Sequence, residues 1–435
     1  MDRRSFIRSS LALGAVPVLS PSASAVATSD VPGEPVLEAP SETSIGIVWA
    51  VPGLSIGFVE LADNSEMRNA VLVRDAAPVA MLDDQSLSVR LTGLKPATRY
   101  WYRTVTRRII SRDNPLYADI RPGETIRGRI HSFETCGAGA RSSFAVINDT
   151  HADWKSFSLT AAHLKRTGVP VVVWNGDATN CTESKRTAVD VFLRPSVSDA
   201  DYAAETAVLW VNGNHDFEGK WARHLGEVML ERPLEERTAR DAALTRNFAI
   251  RQGDIALIGL DTGEALSDDD SRLAGRGNFA DYRRRQTVWL EDQFRRPEIA
   301  TAPFVVAFCH IPLFEERPGA VERDLAHALK GGCNAWCRPG YEMWGRTLTE
   351  HGVQLVVSGH EHQYRMDRAK DGRSWDQLVG GGPELGIPSR SDGDTYFPTV
   401  IEGCVRDGKL RVEVWDVWHR RSVGTFEYER RNREC

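Results

Sequence analysis

Six short apolar runs, most of them closed by a polar motif, constrain this chain more than any other feature. They are Phe144 to Ile147, Val171 to Trp174, Val208 to Val211, Ile255 to Leu260, Phe304 to Phe308 and Leu355 to Val357. Continuous runs of this length, bounded by Gly, Pro or Asn, predict buried strands of a layered sheet. Asp281 to Arg296 places Tyr282, Trp289, Leu290 and Phe294 on one arc of a helical wheel, and Pro297 is its stop signal. A sheet sandwich flanked by helices follows.

The rhythm upstream is different. From Val31 to Cys136 the sequence alternates like strands, with Ile45, Ile47 and Trp49 on one face. The order Leu94-x-Pro96-x-Thr98-x-Tyr100-x-Tyr102 resembles a fibronectin type III-like β-sandwich, which would put Tyr100 at the tyrosine corner and His131 to Thr135 in the last strand. Nothing in this stretch carries chemistry, so it reads as a structural or interaction module. A Gly/Ala/Ser linker, Cys136 to Ser143, separates it from the apolar runs.

Arg3-Arg4-Ser5-Phe6, a short apolar stretch from Leu11 to Leu19 and then Ala23-Ser24-Ala25 resemble a twin-arginine export signal. Asp2 stands where that pattern usually has Ser or Thr. The expected organisation is therefore a leader over residues 1–25, a sandwich over 31–136 and a catalytic body over 142–427. Export to the periplasm or the outside is expected, with the twin-arginine machinery as a partner.

Charge narrows the function. Lys and Arg number 54 against 60 Asp and Glu, a net −6, so no basic excess exists to neutralise a phosphate backbone and nucleic acid is not the expected main partner. Past the leader no apolar window approaches the roughly 20 residues of a membrane span. Seven cysteines form no dense disulfide framework. Cys333 and Cys337 are equally readable as a small bridge or as two free thiols, and Cys309 as a small core residue.

The chemistry lies at the ends of the runs. They close in Asn148-Asp149-Thr150-His151, Asn175-Gly176-Asp177-Ala178-Thr179-Asn180, Asn212-Gly213-Asn214-His215-Asp216, Cys309-His310-Ile311-Pro312 and Ser358-Gly359-His360-Glu361-His362. Singly each is weak, because Gly-Asp is a common turn and a strand-end His is often structural. Five together at strand ends, where rigid strands hold converging loops, predict a dinuclear metal site. Asp261 reads as a turn residue or a support behind the ligands, and Asp268-Asp269-Asp270 as a solvated loop. Gly380-Gly381-Gly382 reads as backbone passing close to the site. For Tyr364 and Arg365, packing is expected rather than substrate contact.

The order Asp-x-His, Gly-Asp-x-x-Asn, Gly-Asn-His-Asp, His-x-Pro, Gly-His-x-His resembles the calcineurin-like metallophosphoesterase superfamily. With the appended sandwich, the whole looks similar to the purple acid phosphatases. The resemblance implies a four-layer α-β-β-α sandwich and two divalent ions, Mn, Fe or Zn. Asp149, His151, Asp177 and His362 would hold one ion, and Asp177, Asn214, His310 and His360 the other, with Asp177 bridging. It further implies in-line attack by a metal-bridging hydroxide, with His215 protonating the leaving oxygen and Asp216 orienting His215. Two departures matter: His151 and Asn180 occupy positions where purple enzymes have Gly and an iron-binding Tyr. The implied function is hydrolysis of small phosphate esters, monoesters preferred. A phosphodiesterase acting on nucleotides or phospholipid head groups is the alternative, and a non-catalytic binding protein using its sandwich is the rival of another class.

Overall fold

The six apolar runs are six strands, and each is buried on both faces because each sits inside a covered sheet. The computed structural model describes residues 31–431 except 76, 113–119, 194–200, 232–243, 315–339, 371 and 384–396. The expected leader, Cys333, Cys337 and Cys435 lie outside the described residues.

Nine described strands form the first sheet, in the order Arg421–Tyr428, Lys409–Asp416, Thr399–Arg406, Ser143–Ile147, Val171–Asn175, Ala207–Val211, Val36–Glu38, Ile45–Ala50 and Ser86–Leu91. Its centre is parallel, with Val146 opposite Val173 and Val173 opposite Leu209. The second sheet runs Phe248–Gln252, Ile255–Gly259, Phe304–Phe308, Leu355–Ser358, Asp376–Val379 and Arg365–Asp367, again parallel in the middle. Alternation decides the layers. Phe144, Val146, Val173 and Leu209 face Leu257, Val306, Phe308 and Val357 across the gap between the sheets. The alternate residues Ala145, Ile147, Val172 and Trp174 pack under the helix Trp154–Thr167, through Phe157 and Leu164. On the far side, Ala256, Ile258 and Val305 pack under the helix Phe279–Arg295 through Trp289, Leu290 and Phe294. Helix, sheet, sheet and helix make the four layers.

The predicted arc of that last helix is present, but its start is set from outside. Asn278 gives no side-chain cap, whereas Asp268 accepts hydrogen bonds from Phe279 N at 2.6 Å and Ala280 N at 3.0 Å. Two of the first backbone donors, unsatisfied within any helix, are met this way. The acidic run read as a solvated loop is thus in part a cap.

The region from Val36 to Glu134 is not separate from the first sheet. Glu38 pairs in parallel with Val208, so the strands Val36–Glu38, Ile45–Ala50 and Ser86–Leu91 extend the sheet that carries the apolar runs. A further sheet, in the order Val71–Val73, Ser55–Ala62, Arg99–Arg112 and Ile120–Arg127, lies over them. Ile45, Ile47 and Trp49 meet Val59, Tyr102 and Phe133 in that layer, while Val36 and Val48 face the opposite way. Tyr100 Oη accepts a hydrogen bond from Lys95 N at 3.0 Å. No described helix is long and apolar enough to cross a membrane.

Candidate metal centre

All five motifs emerge at the carboxyl ends of parallel strands, and three of them turn sharply. Asp149, His151, Asp177, His360 and His362 have φ of 48°, 44°, 51°, 71° and 56°, the left-handed region that L-residues avoid. Such positions cost about 1–3 kcal/mol each and persist only where the surroundings dictate them. The neighbouring glycines show what dictates. A Cβ on Gly213 would lie 2.1 Å from Asp177 Oδ1, and one on Gly359 would lie 2.4 Å from Asp149 Oδ2. The motif glycines therefore let one loop's backbone press against another loop's carboxylate.

The predicted ligands converge. Asp149, His151 and His362 form one group whose donor atoms lie within 4.8 Å of one another, and Asp177, His310 and His360 form a second. Asp177 forms a third group with His151 and His215, at 3.5 Å from His151 Nε2 to Asp177 Oδ2, and so touches the first group as well as the second. Asn214 Oδ1 lies 2.8 Å from His360 Nδ1, which brings its amide to the second group.

Tautomers follow from the partners of the other ring nitrogens. His310 Nδ1 donates to Asn175 O at 2.8 Å, and His362 Nδ1 donates to Pro383 O at 3.0 Å. Carbonyls only accept, so Nδ1 carries a proton in both rings and Nε2 is the atom that faces the carboxylates. His151 is clasped twice by Asn180: its Nδ1 is 2.8 Å from Asn180 Oδ1, and Asn180 Nδ2 donates to His151 O at 3.2 Å. The Nε2 atoms of His151 and His310 are buried and lack any hydrogen-bond partner among the described residues. His310 Nε2 lies 3.1 Å from Asp177 Oδ2, an ion-pair distance. Buried ring nitrogens aimed at carboxylates without partners are the arrangement that cations complete, so the residues fit two metal ions.

The two aspartates dominate the electrostatics of the cluster. Burial raises the Asp177 carboxyl, but His310, His151 and His215 outweigh it and hold Asp177 below the usual carboxylate range. Burial alone would discharge His310; Asp177 and Asp149 instead push it up to about 10. His360 is driven down to about 4 by burial and by the charge on His310.

His215 sits beside this cluster, its ring 5.1 Å from that of His151, with a third of its side chain exposed. Its backbone N donates to Asp177 Oδ1 at 3.0 Å. Burial opposes its charge, yet Glu218, with Oε1 3.2 Å from Nδ1, and Asp177 push it up to about 9. One expectation is corrected here. Asp216 does not orient His215. Asp216 makes its hydrogen bonds elsewhere, its Oδ2 accepting from Asp177 N and Gly213 N, both at 2.8 Å. It ties two ligand loops together, and the carboxylate beside His215 is Glu218.

Supporting residues behave as follows. Asp261 is fully buried and accepts from Asn212 Nδ2 and Tyr282 Oη, both at 2.9 Å, behind the third loop. A Cβ on Gly380 would lie 2.1 Å from Asn148 Oδ1, so that backbone does pass close to the site. Tyr364 packs near Phe397, and Arg365 pairs with Glu361 and with Asp367 at 2.9 Å. The roles of Asn175, Asn180 and Glu218 were not legible beforehand. Asn180 alone carried a signal, as the residue standing where a tyrosine was expected.

A family model described as calcineurin-like phosphoesterase matches residues 142–364. Purple acid phosphatase 15 of Arabidopsis thaliana is 22% identical over 302 residues, 63% of this chain and 48% of that protein. The chain thus spans about half the length of the curated relative it matches. Among solved structures, purple acid phosphatase PPD1 from yellow lupin (Lupinus luteus) seeds superposes with a TM-score of 0.64 at 14% identity, covering 92% of this chain and 75% of that one. PhoD superposes with a TM-score of 0.59 at 12% identity, covering 91% and 88%. At such identities the likeness is one of fold. The matched model spans every strand that ends in a candidate ligand, and those residues converge in the fold: the chain belongs to the calcineurin-like phosphoesterase family.

Proposed function

We propose that this protein is a metal-dependent hydrolase of small phosphate esters that prefers monoesters. The observation that carries this reading is Asp177, one buried carboxylate within reach of the histidines of both groups. Asp149, His151 and His362 with Asp177 would hold one ion, and Asn214, His310 and His360 with Asp177 the other. Two divalent ions, Mn, Fe or Zn, supply a strong nucleophile from water at neutral pH and offset charge on phosphoryl oxygens. His215, positively charged and half-buried at the rim, donates its proton to the leaving oxygen. Asp216 keeps the Gly176–Asp177 and Gly213–Asn214 loops in register. Asn180 is committed to His151, so no phenolate takes its place, and the protein is expected to show no intense visible band even with iron bound.

The monoester preference rests on the likeness to purple acid phosphatases. The test is turnover of p-nitrophenyl phosphate and bis-p-nitrophenyl phosphate with added Mn, Zn or Fe, and after chelation. Metal-dependent turnover favouring the first is expected. Faster hydrolysis of the diester overturns the preference, and metal binding without turnover of either overturns the enzymatic reading.

We also propose that residues 1–25 direct export through the twin-arginine route, and that 31–136 form a fibronectin type III-like module ahead of a catalytic domain over 142–427. The paired arginines support the first, and the two strand layers meeting at Trp49, Tyr102 and Phe133 support the second. Cell fractionation of wild type against a variant with Arg3→Lys and Arg4→Lys checks the route; unchanged export of that variant refutes it.

A further inference from the structure

Beside the metal centre a cavity of about 490 Å³ opens between Asn214, His215 and His360 on one side and the turn from Glu264 to Arg276 on the other. Two of its walls bear on the part of a substrate that leaves. His215, the residue placed to protonate the leaving oxygen, lines it, so the departing alcohol must point this way. The opposite wall is mixed, with Ala265, Leu266 and Leu273 beside two arginines.

The charges in this lining are mostly matched. Arg272 is held by Asp270 through Nε at 3.0 Å and Nη2 at 2.8 Å. Glu218 faces His215. Glu264 is 5% exposed and accepts from Ala265 N at 2.7 Å, and burial pushes its carboxyl up. Arg276 differs. Its backbone N donates to Leu273 O at 2.9 Å and its Nε reaches the same oxygen at 3.4 Å, which ties the residue to the turn. Its terminal Nη atoms have no acceptor among the described residues. A planar two-nitrogen fork on a fixed turn, across an apolar wall from the reacting centre, suits a carboxylate or a phosphate group.

We propose that this cavity seats the alcohol part of the substrate, and that Arg276 selects esters whose alcohol part carries a second anionic group. The proposal rests on the phosphoesterase reading and names its substrate class. Simple aryl phosphates fill the site without using Arg276; an anionic aryl or alkyl phosphate uses both ends.

The experiment compares 4-carboxyphenyl phosphate with 4-carbamoylphenyl phosphate, nearly equal in shape, on the Mn-loaded protein. Wild type should favour the carboxylate by about tenfold in kcat/KM, mainly through KM. Arg276→Ala should erase that preference by lowering kcat/KM for the carboxylate ester far more than for the carbamoyl ester, Arg276→Lys should keep part of it, and Arg276→Glu should reverse it. A third ester bearing a phosphonomethyl group at the same place tells which anion fits better. Equal kcat/KM for the charged and neutral esters in wild type, or a preference that survives Arg276→Ala, overturns the proposal. Calorimetry with 4-carboxybenzylphosphonate and 4-carbamoylbenzylphosphonate separates the two readings. Tighter binding of the carboxylate that Arg276→Ala abolishes, in a protein that hydrolyses nothing, keeps the subsite and discards the hydrolase. Equal binding of the two discards the subsite.

Discussion

Around Trp49 and around Asp177 the chain buries side chains equally well and by opposite means. Trp49, Tyr102 and Phe133 are almost completely buried in regular strands, and their few polar atoms are paired: Trp49 Nε1 donates to Thr106 Oγ1 at 2.8 Å, and Tyr102 Oη to Ala204 O at 2.7 Å. Around Asp177 the buried atoms are charged or polar, the backbone is left-handed, and ring nitrogens remain unpaired. The first region gains stability from apolar area and complete hydrogen bonding. The second spends some of that stability to hold donors for cations. The lesson is that damage to each should register in a different measurement, although both lie on one sheet.

Asp177→Asn attacks the second region hardest. Losing the charge shared by both groups should cut turnover by about 10³-fold or more and lower the content of one metal. Thermal stability should change far less than turnover, because the lost attraction between Asp177 and His310 is partly offset by relief of the repulsion that, after burial, raises the Asp216 carboxyl. Calorimetry, metal analysis and kinetics on one preparation decide this; a large loss of Tm would show that Asp177 serves the fold.

Trp49→Ala is the reciprocal experiment. A cavity in the packed layer and a bereft Thr106 hydroxyl should cost about 3–5 kcal/mol by urea unfolding. The kcat of the folded fraction should stay near wild type. A kcat loss as large as the stability loss would show that the shared sheet couples the two regions.

Asn180→Ala sharpens the comparison with a smaller change. Without the clasp, His151 loses both its ring partner and a support for its strained backbone, and metal affinity should fall about 10–100-fold. Titration of the metal-free protein measures this, and an unchanged affinity would mean that packing alone orients the ring.

Glu38 sits where the regions join, fully buried, accepting from Leu230 N at 2.7 Å. Burial pushes its carboxyl up to about 8, against the pull of Arg246 and Arg90. The native state therefore keeps a proton that the unfolded chain loses above about pH 4.5. Its stabilising contribution is complete below that pH and fades as pH rises through about 8. Glu38→Gln should flatten this slope and be more stable than wild type at pH 8 by about 1–2 kcal/mol. Parallel slopes for the two proteins would remove Glu38 as the cause.

Much of this was readable from residue order. Continuous apolar runs mark strands covered on both faces because every side chain in them is buried, and the structure places a strand at each. The candidate ligands were legible because Gly-Asp, Gly-Asn-His and Gly-His are local: a glycine beside a carboxylate or imidazole records a close approach without naming what approaches. The arc Trp289, Leu290 and Phe294 was legible for the same reason, since a helix brings only near neighbours together.

What the tertiary structure alone decided involves partners far apart in sequence. Asn180 reaches back 29 residues to His151, Asp216 reaches 39 to Asp177 N, and Glu38 meets Leu230 across 192. No periodicity encodes such pairs, because they depend on which loops the strand order brings side by side. The same holds for the first sheet, whose parallel pairing of Glu38 with Val208 joins a region that reads in sequence as a separate module. Sequence order determined which side chains could bind metal, since that is their own chemistry. Strand order determined which nitrogen each histidine presents and which carboxylate it meets, since those are set by neighbours the chain must fold to find.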